Sequence, residues 1–342
     1  MQVLVTGGFG FVGSAIVTAL LRAGNRVRVL DLGDHPKREA FERVWRNLGQ
    51  VEIFGADIGR ADQVEQAVKG CRMVVHSAAL LNSIASYSQF HRVNVLGTEN
   101  VCRACLNEGI DRLVLISTSD VFGIPDLGEI ITEDTPLRPW NEPYADTKIQ
   151  AVKAARYYRD SRQLPVTIIF PGWVYGPGDR QFFPAILDML KDKHVFTWER
   201  RNAYEINLIY IDDLVNAVMK CLTSHRQRNG EYLILETHTF TTPAKLFARM
   251  AEFFNLPIHV HRMPYGLMML IALCSQWLAR RRIVKKHLLS TTDVKAFGNE
   301  FHFSVERARQ ELGWQPSTSV DQGLRKAFEW QAQRLHNPDL VI

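Results

Sequence analysis

A chain of 342 residues has room for one large α/β domain with a smaller appendage, or for two domains, and it can bury a sizeable core. Its net charge of +5 is a mild excess at that size, which excludes the general basic face that nucleic-acid binding requires. Five cysteines, at 71, 102, 105, 221 and 274, form an odd set without disulfide-like spacing and read as thiols in a reducing compartment. The first strand starts at residue 3, which leaves no room for a signal or transit peptide and sets the expectation of a cytoplasmic protein.

An apolar run of strand length, Val3-Leu4-Val5-Thr6, breaks at Gly7-Gly8-Phe9-Gly10 and resumes at Phe11 with helical periodicity. The glycines therefore sit where a strand feeds a helix. Gly7 permits a tight turn, Gly10 lets the backbone approach a pyrophosphate, and Gly13 lets the helix pack closely on the strand. The N–H groups and positive dipole end of that helix then face phosphate. A second apolar strand, Arg26 to Leu30, ends in Asp31, eighteen positions after Gly13. A carboxylate there accepts hydrogen bonds from ribose hydroxyls and repels a 2′-phosphate. A dinucleotide site follows, with NAD favoured over NADP; Lys37 and Arg38 stand close enough in sequence either to receive a 2′-phosphate or to be solvated loop residues.

Val51 to Phe54 reads as a third strand, ending in Gly55-Ala56-Asp57-Ile58. Asp57 and Ile58 suit an adenine amino group and ring face, or else Asp57 caps the helix expected from Asp62 to Val68. Met73 to Ala79 is a fourth strand running into small residues that let a cofactor lie against the backbone. A helix containing Asn94 to Asn100 follows, then Leu113 to Ile116, a buried strand whose end, Ser117-Thr118-Ser119, points hydroxyls at the ligand crevice. Tyr144-Ala145-Asp146-Thr147-Lys148 opens the next helix, 26 residues after Thr118. The four-residue spacing puts phenol and ammonium on one face, and the ammonium is expected to lower the phenol pKa so that Tyr144 exchanges a proton near neutrality. Val166 to Phe170 is a sixth strand, capped by an ordered loop from Pro171 to Asp179.

In order along the chain, Thr6 to Gly13, His76-Ser77-Ala78-Ala79, Asn94 to Thr98, Ser117 to Gly123, Tyr144 with Lys148, Val174 to Asp179, Tyr210 to Val215 and Glu311 to Pro316 resemble the motifs of the extended short-chain dehydrogenase/reductase superfamily. The resemblance implies an α/β fold with a Rossmann-type doubly wound parallel sheet that binds NAD. That domain is expected over 1–175, continued by about 206–236, with a smaller substrate-binding domain from 176–205 and 237–342. The resemblance also implies Tyr144 as acid/base, Lys148 as its partner and Thr118 orienting the substrate oxygen. Around the cofactor it sets Gly7, Gly10, Phe11, Val12, Asp31, Asp57, Ile58, Ala78, Ala79, Asn94, Tyr144, Lys148, Pro171 and Val174. Trp173, Trp198, Tyr204 and Phe182-Phe183 suggest an apolar pocket or else core packing, and Leu81, Ser119, Trp173, Trp198 and Tyr204 are the residues expected around the substrate; no metal is implied. A homodimer through a pair of cofactor-domain helices fits the superfamily.

Two departures bear on the branch. Nucleotide-sugar epimerases and dehydratases usually carry Asn where this chain has Trp173, and commonly present Arg to a substrate diphosphate where it has Ile206. Arg200 and Arg201 lie nearby as substitutes. The pattern looks more like the 3β-hydroxysteroid dehydrogenase-like branch, whose members act on steroids and other lipophilic alcohols or ketones. From Met263 to Ala279 the chain is almost wholly apolar, and Arg280-Arg281-Arg282 and Lys285-Lys286 follow. The segment 263–287 is too short and interrupted for a membrane span; it suits a membrane interface, or a helix packed over the substrate domain or in a dimer. The expected activity is NAD-dependent interconversion of a secondary alcohol and a ketone on a lipophilic, steroid-like or acyl-derived substrate. A nucleotide-sugar 4-epimerase or dehydratase with tightly bound NAD, and a non-catalytic NAD sensor, are the alternatives.

Overall fold

The computed structural model describes residues 2–81, 85–126, 128–198, 205–224, 229–237, 239, 241–281, 283–284 and 291–341. Seven strands, β1 (Gln2–Thr6), β2 (Arg26–Asp31), β3 (Val51–Gly55), β4 (Met73–His76), β5 (Arg112–Ile116), β6 (Val166–Pro171) and β7 (Gly230–Ile234), form one parallel sheet in the order β7-β6-β5-β4-β1-β2-β3. The chain reverses its direction of winding between β1 and β4, and a crevice opens there beyond the carboxyl ends of the strands. This is a Rossmann-type doubly wound α/β fold.

Alternation along each strand builds two cores. Val3 and Val5 face one side of the sheet and pack with α1 (Phe11–Arg22), while Leu4 faces the other and packs with α3 (Ala61–Val68). The first core also takes Phe41 and Trp45 of α2 (Arg38–Leu48). The second takes α4 (Gly97–Glu108), with Cys102 and Cys105, and α5 (Pro143–Arg162). Both faces are covered, so the strands read as continuous apolar runs.

The helix expected around Asn94 is not uniform: a single turn at Tyr87–Phe90 runs into a π-helical stretch, His91–Leu96, before α4 begins. Asp57 does not cap α3. Arg60 holds the cap position, and the Asp57 Oδ1 accepts the Gly59 N–H at 2.8 Å instead.

After β6 come α6 (Phe182–Lys191), α7 (Ile211–Thr223), α8 (Pro243–Phe253), α9 (Tyr265–Arg280), α10 (Thr291–Gly298), α11 (Glu306–Leu312) and α12 (Val320–His336). Among the described residues, three two-stranded ribbons tie them together, one of them Trp173–Tyr175 with Leu208–Tyr210. Two buried carboxylates hold loops in place. Asp179 accepts the N–H groups of Gln181, Phe182 and Phe183 at the start of α6. Asp213 accepts from Ser317 and Thr318, and its carbonyl takes the Trp314 indole N–H, which clasps the closing motif onto α7.

Candidate active site

At the switch point the backbone is packed too tightly for side chains. Gly7 has φ +70°, and a Cβ there would stand 2.7 Å from the Ala78 Cα; a Cβ on Gly13 would stand 2.1 Å from the Gly7 carbonyl oxygen. The loop, α1 and the exit of β4 therefore meet backbone to backbone. Gly10 is the N-cap of α1, and no side chain caps the N–H groups that begin at Phe11 and Val12. Beside them the Asp31 carboxylate accepts the N–H of Phe9 and of Leu32, both at 2.8 Å. Burial raises its pKa. A helix end with open donors next to a carboxylate at a strand end fits the pyrophosphate and ribose of a dinucleotide. Both cations offered by the sequence to a 2′-phosphate are engaged elsewhere: Lys37 donates to the Pro338 carbonyl, and Arg38 pairs with Glu42 at 2.7 Å.

Farther along the crevice, Asp57 pairs with Arg92, and Ile58 is buried against Gly97. Ala78 and Ala79 follow β4 and are partly buried. The Asn94 amide is committed, accepting the Leu80 N–H at 2.7 Å and donating to the Thr147 hydroxyl at 3.1 Å, so it ties the loop after Ala79 to α5. Pro171 ends β6 opposite Ile234, and Val174 sits in the ribbon opposite Ile209.

Thr118, Tyr144 and Lys148 converge from two elements. Thr118 follows β5, its hydroxyl accepts the Asp120 N–H at 3.2 Å, and it shares a hydrogen bond with the Tyr144 phenol. The Lys148 ammonium, one turn along α5, donates to the Ile116 carbonyl at 2.9 Å. Burial pushes the Lys148 pKa down to about 8. The expected lowering of the phenol is not what the residues do. Burial, and then the neighbouring Asp120 carboxylate, push the Tyr144 pKa up, because Lys148 is turned onto a backbone carbonyl and its charge does not offset them. Asp120 is itself pushed up to about 6 by burial. Behind these residues His76 is wholly buried between the hydroxyls of Thr6, at 2.7 Å, and Thr98, at 3.0 Å; burial lowers its pKa to about 3 and keeps it neutral.

A cleft opens beside Ser119 and Asp120. Trp140, Trp173, Ile206, Pro243, Phe297, Phe301 and Phe303 line it, with Asn207, Asn299 and Glu205 as its other polar groups. Trp173 packs edge-on against Phe297 at 4.6 Å and Phe182 at 5.1 Å. Trp140 stacks on Phe301 and donates its indole N–H to the Asp120 carbonyl. Trp198 is not in the lining: it is buried with Met268, Ala272 and Val294 and donates to the Val294 carbonyl at 3.1 Å, so it holds α10 in place. Leu81 is exposed and outside the lining. Tyr204, Arg200 and Arg201 lie outside the described residues. Asp120, Trp140 and the cleft's late-chain wall of Phe297, Phe301 and Phe303 are among the site residues that sequence reasoning missed. Asp120 lay inside the Ser117 to Gly123 motif, and an acid one residue past the strand-end hydroxyls was the available signal.

Residues 3–234 match the family described as the NAD dependent epimerase/dehydratase family. Among curated proteins, the chain is 27% identical over 327 residues to a 4-hydroxy-2-methyl-3-oxo-4-farnesyl-3,4-dihydroquinoline-1-oxide ketoreductase from Stigmatella aurantiaca, covering 95% of each. It is 27% identical over 351 residues to the 3 beta-hydroxysteroid dehydrogenase type 7 of Mus musculus, covering 96% of this chain and 94% of that one. Among solved structures, a dTDP-glucose 4,6-dehydratase from Streptomyces venezuelae superposes with a TM-score of 0.77 at 24% identity, covering 99% of this chain and 100% of that one. That likeness shows the fold.

Proposed function

We propose, for a chain that belongs to the NAD dependent epimerase/dehydratase family, that it interconverts a secondary alcohol and a ketone on a lipophilic substrate. The aromatic cleft carries this reading. Among its described lining residues there are two carboxylates and no Lys or Arg, and Ile206 is buried in the wall. A diphosphate would lose its charge-assisted contacts there and meet like charge. The names of two relatives, a ketoreductase of a farnesylated quinoline and a hydroxysteroid dehydrogenase, support the same class.

The N–H groups opening α1, the Asp31 carboxylate, the backbone at Ala78 and Ala79, and Lys148 would hold NAD. When bound, NAD exchanges a hydride with the carbinol or carbonyl carbon. Tyr144 gives its phenolic proton to the substrate oxygen in reduction and takes it back in oxidation. Thr118, bonded to that phenol, orients the same oxygen. Burial, and after it the Asp120 carboxylate, hold the phenol in its protonated form. Cofactor retention tests the reading: protein purified without added cofactor is denatured and its released NAD counted. Well under one NAD per chain agrees with a dehydrogenase that exchanges cofactor each turnover. Near one per chain contradicts it and favours nucleotide-sugar isomerisation.

A further inference from the structure

The surface of α9 is apolar on both sides. Met268, Ala272 and Ala279 face inward, and the first two meet Trp198 and Val294. On the outer side Leu267, Leu270, Leu273 and Trp277 are 42%, 57%, 54% and 55% exposed. Their spacing of three, three and four residues makes one continuous stripe along the helix. Apolar residues on a soluble surface ordinarily scatter singly, so an aligned stripe of four large ones marks a contact face.

Charge identifies what covers it. From Phe253 to Thr292 the chain has no Asp or Glu, while Arg262, Arg280, Arg281, Arg282, Lys285 and Lys286 fall in that stretch. The Arg281 guanidinium lies over the Trp277 ring, 5.6 Å from its centroid, at the end of the stripe. A second copy seated here would bring two all-basic segments together with no acid to neutralise them. An anionic headgroup layer supplies that acid, and a tryptophan beside an arginine suits the boundary between headgroups and acyl chains. Sixteen residues of helix extend about 24 Å. Among the described residues no helix is long and apolar enough to cross a membrane. A helix lying in the plane of the surface meets both constraints.

We propose that α9 seats this protein on an anionic bilayer, with Leu267, Leu270, Leu273 and Trp277 among the acyl chains and Arg281 at the phosphates. α9 packs on α10, and Phe297 of α10 lines the cleft and packs on Trp173. The seated helix and the cleft wall thus form one unit, which brings the cleft next to a reservoir of lipophilic compounds. The seating is read from the surface alone; the delivery of substrate rests on the proposed function.

The test is flotation of the purified full chain with vesicles, without substrate. Wild type floats with phosphatidylcholine containing about a quarter phosphatidylglycerol, and at least about tenfold less with phosphatidylcholine alone or at about 0.5 M salt. The double variant Leu270→Glu, Trp277→Glu loses flotation with its melting temperature and molecular mass in solution unchanged, and Arg281→Glu weakens it. Absence of flotation on the anionic vesicles overturns the proposal, as does a double variant that floats like wild type. A wild-type dimer that the double variant splits assigns the stripe to a second copy and also overturns it. Flotation in a protein that turns over no lipophilic alcohol upholds the seating and sinks only the reaction.

Discussion

Gly13→Ala is the sharpest perturbation of the cofactor loop. The added methyl would lie 2.1 Å from the Gly7 oxygen, 2.8 Å from the Gly7 carbonyl carbon and 3.0 Å from the Gly8 Cα, all backbone atoms that cannot rotate away. Ordinary contact needs more than 3.4 Å, so the loop must lift from α1 by about 1 Å, and overpacking of this kind removes about 3 kcal/mol of stability. With about 2.1 cal/mol/K of unfolding entropy per residue over 342 residues, that lowers the melting temperature by about 4 °C. A 1 Å displacement of the N–H groups that meet the pyrophosphate breaks charge-assisted hydrogen bonds of about 1.5–3 kcal/mol each, so NAD binding weakens by at least about tenfold. Gly10→Ala is the matched control. Its methyl meets only the Gly7 oxygen, at 3.1 Å, and otherwise stands in open space at the mouth of α1. It should leave the melting temperature within about 1 °C, because a few tenths of an ångström relieve the contact, while still weakening NAD binding. Calorimetric titration with NAD and thermal unfolding of both variants decide the matter. A Gly13→Ala protein with wild-type affinity and melting temperature refutes the reasoning.

Tyr144→Phe removes the proton donor but keeps the ring, and should lower kcat by about 10² to 10⁴ with a far smaller change in NAD affinity, read by steady-state kinetics and titration. Asp120→Asn removes a charge that raises the phenol, so the limb of the pH–rate profile that reports phenol ionisation should move to lower pH; an unmoved limb separates Asp120 from the chemistry. Lys148 falls from the ordinary 10.5 to about 8, so the unfolded chain holds that proton more tightly and wild-type stability rises between those pH values, by about 3 kcal/mol from this group. Lys148→Met should flatten that rise in denaturant melts across the range. Asp213→Ala strips the partners from Ser317 and Thr318 and should lower stability by about 3 kcal/mol with NAD affinity intact, measured by urea unfolding.

The order of strands and the site's backbone frame were legible because they are written locally. Apolar runs mark β1, β2 and β5, and spacing sets Tyr144 and Lys148 on the helix after the hydroxyl-bearing strand, while the family resemblance picks Thr118 among the three hydroxyls. What spacing does not carry is direction and charge through space. Tyr144 and Lys148 share a helix face, yet the ammonium turns to the Ile116 carbonyl, and burial together with a carboxylate from another element raises the phenol. Asp57 has the composition of a helix cap but loses the position to Arg60, because its own carboxylate closes a turn on Gly59. Trp173 and Trp198 look alike in sequence. One lines the cleft and the other is core, a difference decided by Val294 and Phe297 about a hundred residues later. Trp140 escaped notice for the same reason, since its partner Phe301 comes from far along the chain.

The central claim is net redox chemistry on a lipophilic alcohol, and counting reduced cofactor tests it most directly. The protein is incubated with excess NAD and a panel of steroid-like and long-chain secondary alcohols in mild detergent, and NADH and ketone are measured against protein. The account predicts NADH accumulating well beyond one per chain, matched one to one by ketone and abolished by Tyr144→Phe. No NADH beyond one per chain, alongside a nucleotide sugar epimerised or dehydrated without net change in cofactor, would contradict it.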